Sequence, residues 1–287
     1  MNQTAQVIIQ GRGLTRSLLD HAAALCGASD LHLPAPGVAR LDGIRTTLPA
    51  RVREHLRAVC DAAKADVAFV PGKPRLRDLG LAVMDMDSTL ITIECIDEIA
   101  DLQGLKPEVS AITAAAMRGE IDYPESLRRR VALLRGLPVS ALERVYEERL
   151  RLSPGAEPLL AGFRAAGIAT LLVSGGFTFF TERLKARLNL DFARANTLGI
   201  AQGCLTGEVE GDIVDAFVKR DELLGTARTL GIEPRRCIAI GDGANDLAMM
   251  AAAGISVAYR AKPVVRAQAT HSIQHNGLDA ILNLFSD

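Results

Sequence analysis

The sequence predicts an α/β fold: a doubly wound parallel sheet with an inserted helical cap, preceded by a small α+β domain. Short apolar runs of the type buried on both faces of a parallel sheet recur at 81–84, 169–173, 237–240 and 255–258. Helical patterns fall between them at 159–166, 177–188, 221–230 and 246–252, and alternation of this kind builds βαβ units with helices on both faces. One stretch, from about 94 to 152, breaks the alternation and reads as helical throughout, at 97–102, 107–117, 123–134 and 139–150. Inserted after the first strand, it would sit over the carboxyl end of the sheet, where ligands bind in such folds.

Ahead of the first run, Pro71-Gly72-Lys73-Pro74 breaks any regular element and places a domain boundary at 74. Residues 1–74 read as a strand at 7–9, a helix at 14–25, a Pro/Gly-broken stretch at 33–38, a helix at 52–63 and a closing strand at 67–70. No chemical cluster lies among them, so packing or regulation is expected there. Residues 75–287 form the larger domain, with the cap at about 94–152.

Charge and composition exclude several classes. The 33 Lys and Arg balance 34 Asp and Glu, so no global field attracts nucleic acid. Without Trp, and with 4% aromatics, a base-stacking surface is not expected either. The N-terminus lacks a basic and apolar leader, and no apolar run is long enough to span a membrane. The five cysteines are scattered without CxxC spacing, which fits a reduced cytoplasmic setting rather than zinc or disulfides. A homodimer is compatible with the sequence.

The chemistry sits at strand ends. The first strand ends in Asp85-Met86-Asp87-Ser88-Thr89, the second in Ser174-Gly175-Gly176, and the third in Gly241-Asp242-Gly243-Ala244-Asn245-Asp246. Taken singly, Asp-x-Asp is commonly a turn or helix cap, and each glycine motif a loop. A parallel sheet brings all three to one edge. Asp85, Asp87, Asp242 and Asp246 would then repel one another unless a hard cation intervened, and oxygen donors of this type suit Mg²⁺. The glycines let backbone N–H groups approach an anion, Ser174 adds a hydroxyl, and Lys219, opening the helix before the third strand, adds positive charge. Carboxylates, a cation and an anion cradle describe phosphoryl transfer, with an ionised Asp as nucleophile.

These motifs in this order resemble the haloacid dehalogenase superfamily, with its Rossmann-like core. The resemblance narrows to its phosphoserine phosphatases through Asp85-Met86-Asp87-Ser88-Thr89-Leu90, the segment Ile93 to Ala100, Ala116-Met117-Arg118-Gly119, Ser126 to Val131, Ser174-Gly175-Gly176-Phe177-Thr178 and the Gly241–Asp246 motif. It implies Asp85 as nucleophile and Asp87 as the acid and base. It implies Mg²⁺ held by the Asp85 side chain, the Asp87 carbonyl and the Asp242 side chain, with Asp246 acting through water. Ser174, Gly175 and Lys219 would hold phosphate, with Asn245 nearby. Glu94 would pair with the ammonium and Arg130 with the carboxylate of L-phosphoserine, beneath Met117 and Tyr123. The family often has Phe where Tyr123 stands. The first 70-odd residues loosely resemble a small-ligand ACT domain, for which serine feedback is a hypothesis. A phosphatase for another small phosphate, or a non-catalytic binding protein, are the alternatives. Cys95, His271, His275 and the run Arg128-Arg129 are expected to be structural or solvated.

Overall fold

Two sheets organise the chain, and the computed structural model describes residues 5–44 and 48–286. The first sheet comes from β1 (Ala5–Gln10), α1 (Arg16–Cys26), β2 (Asp30–Ala35), β3 (Val38–Ile44), α2 (Ala50–Ala62) and β4 (Asp66–Pro71). Its order is β2-β3-β1-β4, antiparallel throughout, the split βαβ arrangement. The expected broken stretch at 33–38 is in fact a hairpin joining β2 to β3, with Gly37 at φ 76 in its turn. β2 carries no strand signal in the sequence because, as a largely exposed edge strand, it lacks the inward apolar alternation.

Period-two alternation gives this sheet two buried faces. Val7, Ile9 and Leu41 pack with Leu19 of α1 and Leu56 of α2. Ile8, Val38, Ala68 and Val70 point the other way and join the main core of the chain. Polar contacts fasten the same junction. The buried Asp66 carboxylate accepts from the backbone N–H groups of Gln274, His275 and Asn276 and from Asn276 Nδ2. Arg40 donates to the carbonyl of Asn283, 3.0 Å away, and to that of Phe285.

The second sheet begins at β5 (Leu81–Met84). The chain then leaves the sheet for α3 (Cys95–Asp101), α4 (Lys106–Met117), α5 (Tyr123–Ala132) and α6 (Ser140–Arg144), the last extended by a wider turn over Val145–Arg149. It returns through α7 (Ala156–Ala165), β6 (Ala169–Phe177), α8 (Thr178–Leu188), β7 (Phe192–Ala201) and β8 (Cys204–Glu210). The remainder is α9 (Ala216–Thr229), β9 (Cys237–Gly241), α10 (Leu247–Ala252), β10 (Ile255–Tyr259), α11 (Pro263–Gln268), β11 (His271–Ile273) and a 3₁₀ turn over Leu278–Leu284. Strand order is β11-β10-β9-β5-β6-β7-β8, with only the β7–β8 pair antiparallel. The β7–β8 pair is a hairpin that turns through Gln202 and Gly203 at φ 52 and 76.

The direction of chain progression reverses at β5, which pairs with β6 on one side and β9 on the other. A crevice opens outside the carboxyl ends of strands at such a switch point. Met84 stands opposite both Leu172 and Ile240, so Asp85 leaves the sheet level with the ends of β6 and β9. β6 runs past its expected end. It bulges between Val173, opposite Arg194, and Phe177, opposite Asn196, so Ser174-Gly175-Gly176 faces a single residue of β7. A bulge of this kind re-aims side chains and backbone at a sheet rim.

Candidate active site

Asp85 is buried at the end of β5, and its Oδ1 accepts from the Met86 N–H at 2.7 Å and from Lys219 Nζ at 2.8 Å. Lys219 lies in the first turn of α9, which is capped by the Asp215 carboxylate on the N–H groups of Phe217 and Val218. Its side chain is fully buried, and Nζ also reaches Asp246 Oδ1 at 2.8 Å. Burial alone would lower the lysine pKa. The adjacent Asp246 and Asp85 carboxylates outweigh that and hold the ammonium charged. Burial and Asp246 push Asp85 toward its protonated form, and Lys219 opposes them. The 2.8 Å contact with the Lys219 ammonium decides for an ionised Asp85.

Asp246 has no exposure and uses its second oxygen for the N–H groups of Asp242 and Gly243, each at 3.1 Å. It therefore folds the loop after β9 back on itself. Asp242, at the mouth of that loop, accepts from Thr89 Oγ1 at 3.1 Å. Burial, and then the Asp246 charge, raise its pKa to about 6. One carboxylate oxygen from each of Asp85, Asp242 and Asp246 falls within a 4.8 Å group. Oδ2 of Asp85 and Oδ2 of Asp242 remain outside these protein hydrogen bonds. This all-oxygen, anionic donor set fits a hard divalent cation.

Asp87 faces the bulge of β6. A side chain at Gly176 would begin 2.7 Å from Asp87 Oδ2 and would push the carboxylate from this position. Asp87 Oδ1 accepts from the Cys95 N–H at 3.2 Å. Burial, followed by the Glu94 charge, raises its pKa to about 7. Ser88 takes a left-handed φ of 55, which turns the chain toward the cap, and its hydroxyl donates to Glu94 Oε1 at 2.7 Å. Cys95 itself is fully buried and its thiol is pushed well up by burial, in keeping with an inert role.

Ser174 Oγ accepts from the Gly176 N–H at 2.8 Å, closing the bulge. The Gly175 carbonyl accepts from Tyr123 Oη at 3.1 Å and from Asn196 Nδ2 at 2.8 Å. Tyr123 thus ties the cap to the sheet through the hydroxyl that distinguishes it from Phe. The cap's other expected residues line the same cavity of about 490 Å³, with Asp85, Asp87, Glu94, Met117, Arg130 and Asn245 around it. Arg130 donates only Nε, to Ser126 O at 3.4 Å, leaving its terminal nitrogens free among the described residues. Met117 is 69% exposed, so it stands at the opening rather than sealed over the floor. Asn245 is exposed on the opposite rim.

Lys219 and Asp246 do not open onto the cavity as the other residues do; they brace it from beneath. Two further contributors carry no signal of their own in the sequence. Asn196 is wholly buried and links the Gly175 carbonyl to the Val214 N–H, 2.8 Å from its Oδ1, so one carboxamide joins the bulge to the approach of α9. Thr89 orients Asp242. A lone Asn inside a strand carries no motif, and Thr89 is visible only as part of a longer one. His271 is buried in β11, and His275 pairs with Asp61 at 2.7 Å, so neither belongs to the site.

A fold with carboxylates converging at this switch point, roofed by a helical insertion, defines a hydrolase of the haloacid dehalogenase class. The family model for haloacid dehalogenase-like hydrolases matches residues 79–254, and the chain belongs to that family. Within it, the chain is similar to phosphoserine phosphatases. That of Polaromonas sp. is 57% identical over 215 residues, 73% of this chain and 91% of the relative. That of Vibrio cholerae is 45% identical over 249 residues, 87% of this chain and 74% of the relative. Among solved structures, a haloacid dehalogenase family hydrolase from Salmonella enterica serovar Typhi aligns with TM-score 0.90 at 33% identity, covering 99% of each chain. A phosphoserine phosphatase in a phospho-aspartyl intermediate analogue state aligns with TM-score 0.68 at 38% identity, over 72% of this chain and 99% of that one.

Proposed function

We propose that this chain hydrolyses L-phosphoserine to L-serine and phosphate through an aspartyl phosphate on Asp85, the last step of serine biosynthesis. One observation carries the reading: a single cavity has Asp85 and Asp87 at its sheet end and Glu94 and Arg130 at its cap end. Phosphoserine has matching ends, a phosphate and a zwitterion. Arg130 presents free guanidinium N–H groups to the carboxylate, and Glu94 faces the ammonium.

The Asp85 carboxylate attacks phosphorus as the serine oxygen leaves with a proton from Asp87. Water then attacks the acyl phosphate and gives a proton back to Asp87, releasing phosphate and restoring both carboxyls. A group that donates and then accepts works best with a pKa near the working pH, and the value of about 7 suits Asp87 to both steps. Ser174, the Gly175 backbone and Asn245 surround the phosphate position, and Lys219 holds Asp85 ionised and fixed in place. Mg²⁺ fits the carboxylates of Asp85 and Asp242 with the Asp87 carbonyl, Asp246 acting through water, and would neutralise charge on the phosphoryl group. Residues 1–74 are proposed as a small ACT-like domain and 94–152 as the cap; the split βαβ strand order supports the former. All five cysteines are free, which supports a reduced cytoplasmic setting.

The test is phosphate release from L-phosphoserine, phosphohomoserine, phosphothreonine, a sugar phosphate and an aryl phosphate, with Mg²⁺ and with chelator. Mg²⁺-dependent preference for L-phosphoserine is expected. Activity on the other esters alone would retain the chemistry and overturn the substrate.

A further inference from the structure

Apart from the Mg²⁺ proposed above, the cavity has few side chains that offer free positive charge on the side where phosphate must bind. Asp85, Asp87, Glu94, Asp97 and Asp242 all line it. Lys219 lies beneath, but its ammonium is already shared between two carboxylates at 2.8 Å. Arg130 belongs to the cap end, beyond Glu94. One more cation lines the cavity. Lys262 follows the end of β10, on the sheet side with Asp242 and Asn245.

Its position is fixed by the backbone while its side chain stays available. Lys262 is the N-cap of α11, extended at φ -63 and ψ 153, with Pro263 opening the helix. Its carbonyl accepts from the N–H groups of Val265 and Arg266. The residue is exposed, and among the described residues its ammonium has no ion-pair partner. A lysine tied down by its own main chain, lining a cavity of carboxylates and without an ion pair among the described residues, is within reach of an incoming anion.

We propose that Lys262 is a phosphate-positioning residue. It draws the phosphoryl end of the substrate to the β9–β10 rim and away from Glu94 and Asp97, so that the ester enters phosphate-first. The inference rests on the phosphatase reading but not on serine as the leaving group, because the ammonium acts on the phosphoryl dianion common to all phosphate monoesters. In this respect it differs from Arg130, whose partner is the amino-acid carboxylate.

The test is calorimetric titration of inorganic phosphate into the full chain with Mg²⁺, at low and moderate salt, for wild type, Lys262→Ala and Lys262→Arg. kcat and KM for phosphoserine and for an aryl phosphate are measured alongside. A unit charge about 7 Å from a dianion in water-like surroundings changes binding roughly five- to tenfold. Lys262→Ala is therefore expected to weaken phosphate binding by that factor and to raise KM for both esters alike, with kcat little changed. Its salt dependence should be shallower, and Lys262→Arg should restore most of the effect. Equal phosphate affinity in wild type and Lys262→Ala overturns this inference alone. Wild type that neither binds phosphate nor cleaves any ester overturns it together with the phosphatase reading. A purely structural role for Lys262 would leave the salt dependence untouched.

Discussion

Replacing Lys219 with methionine keeps the length of a wholly buried side chain and deletes its charge. In wild type that charge sits 2.8 Å from Oδ1 of Asp85 and 2.8 Å from Oδ1 of Asp246. Its removal leaves two buried carboxylates facing each other with nothing between them. Breaking a buried pair by removing one partner costs about 3–5 kcal/mol. For a chain of this size each kcal/mol moves Tm by roughly 2–4 °C, so metal-free Lys219→Met should melt about 6–20 °C lower. A divalent cation offers the same carboxylates another partner, and Mg²⁺ should raise the variant's Tm by more than it raises that of wild type. The assay is thermal denaturation of both proteins with chelator and across a Mg²⁺ series. Equal melting temperatures in chelator would refute the claim that Lys219 neutralises this pair. A smaller Mg²⁺ response in the variant would refute the shared use of these carboxylates by lysine and metal.

Other consequences are open to equally direct measurement. Asp85→Asn should abolish turnover in single-turnover and steady-state assays, because an amide does not attack phosphorus. Asp87→Asn should slow both formation and hydrolysis of the phosphoenzyme while leaving Mg²⁺ binding, followed by calorimetry, largely in place. Tyr123→Phe removes one of two donors to the Gly175 carbonyl, worth about 1 kcal/mol, so kcat/KM for phosphoserine should fall by less than about tenfold. A hundredfold drop would mean that the hydroxyl does more than hold the cap. Burial lowers the pKa of His271 from 6.5 to about 4, so folding favours its neutral form. The associated stability is complete above the unfolded value and is lost as pH falls from 6.5 toward 4, by about 3 kcal/mol in total. Urea midpoints at pH 7.5 and 4.5 should therefore fall further for wild type than for His271→Leu.

Features set by strand periodicity and strand-end chemistry are legible in the amino-acid sequence. The run at 81–84 matches β5 residue for residue, and Asp85 lies where a parallel register must place it. The Gly241–Asp246 motif signals a tight loop, and Asp246 closes that loop with Oδ2 while its Oδ1 takes the Lys219 ammonium. Contacts between residues far apart in the chain are not legible in this way. Asn196 joins the β6 bulge to the segment before α9, and nothing in its neighbourhood marks it. The bulge itself depends on pairing with β7, a strand whose mixed burial hides the period-two signal. β11 is only three residues long, too short for any pattern to emerge. Tyr123 stands out as a departure from Phe, but its hydrogen bond depends on how α5 docks over the sheet.

The inner face of the first sheet has a practical consequence for handling the molecule. Ile8, Val38, Ala68 and Val70 bury themselves in the same core as Ile273, Ile281, Leu284 and Phe285. The segment that carries no chemistry therefore doubles as a wall for the one that does. Stripped of its first 74 residues, the catalytic half would present a bare apolar panel and three backbone N–H groups orphaned by the loss of Asp66. Such a fragment should be sticky and poorly soluble even with its catalytic residues intact, so a loss of activity on truncation would report surface exposure before it reported regulation.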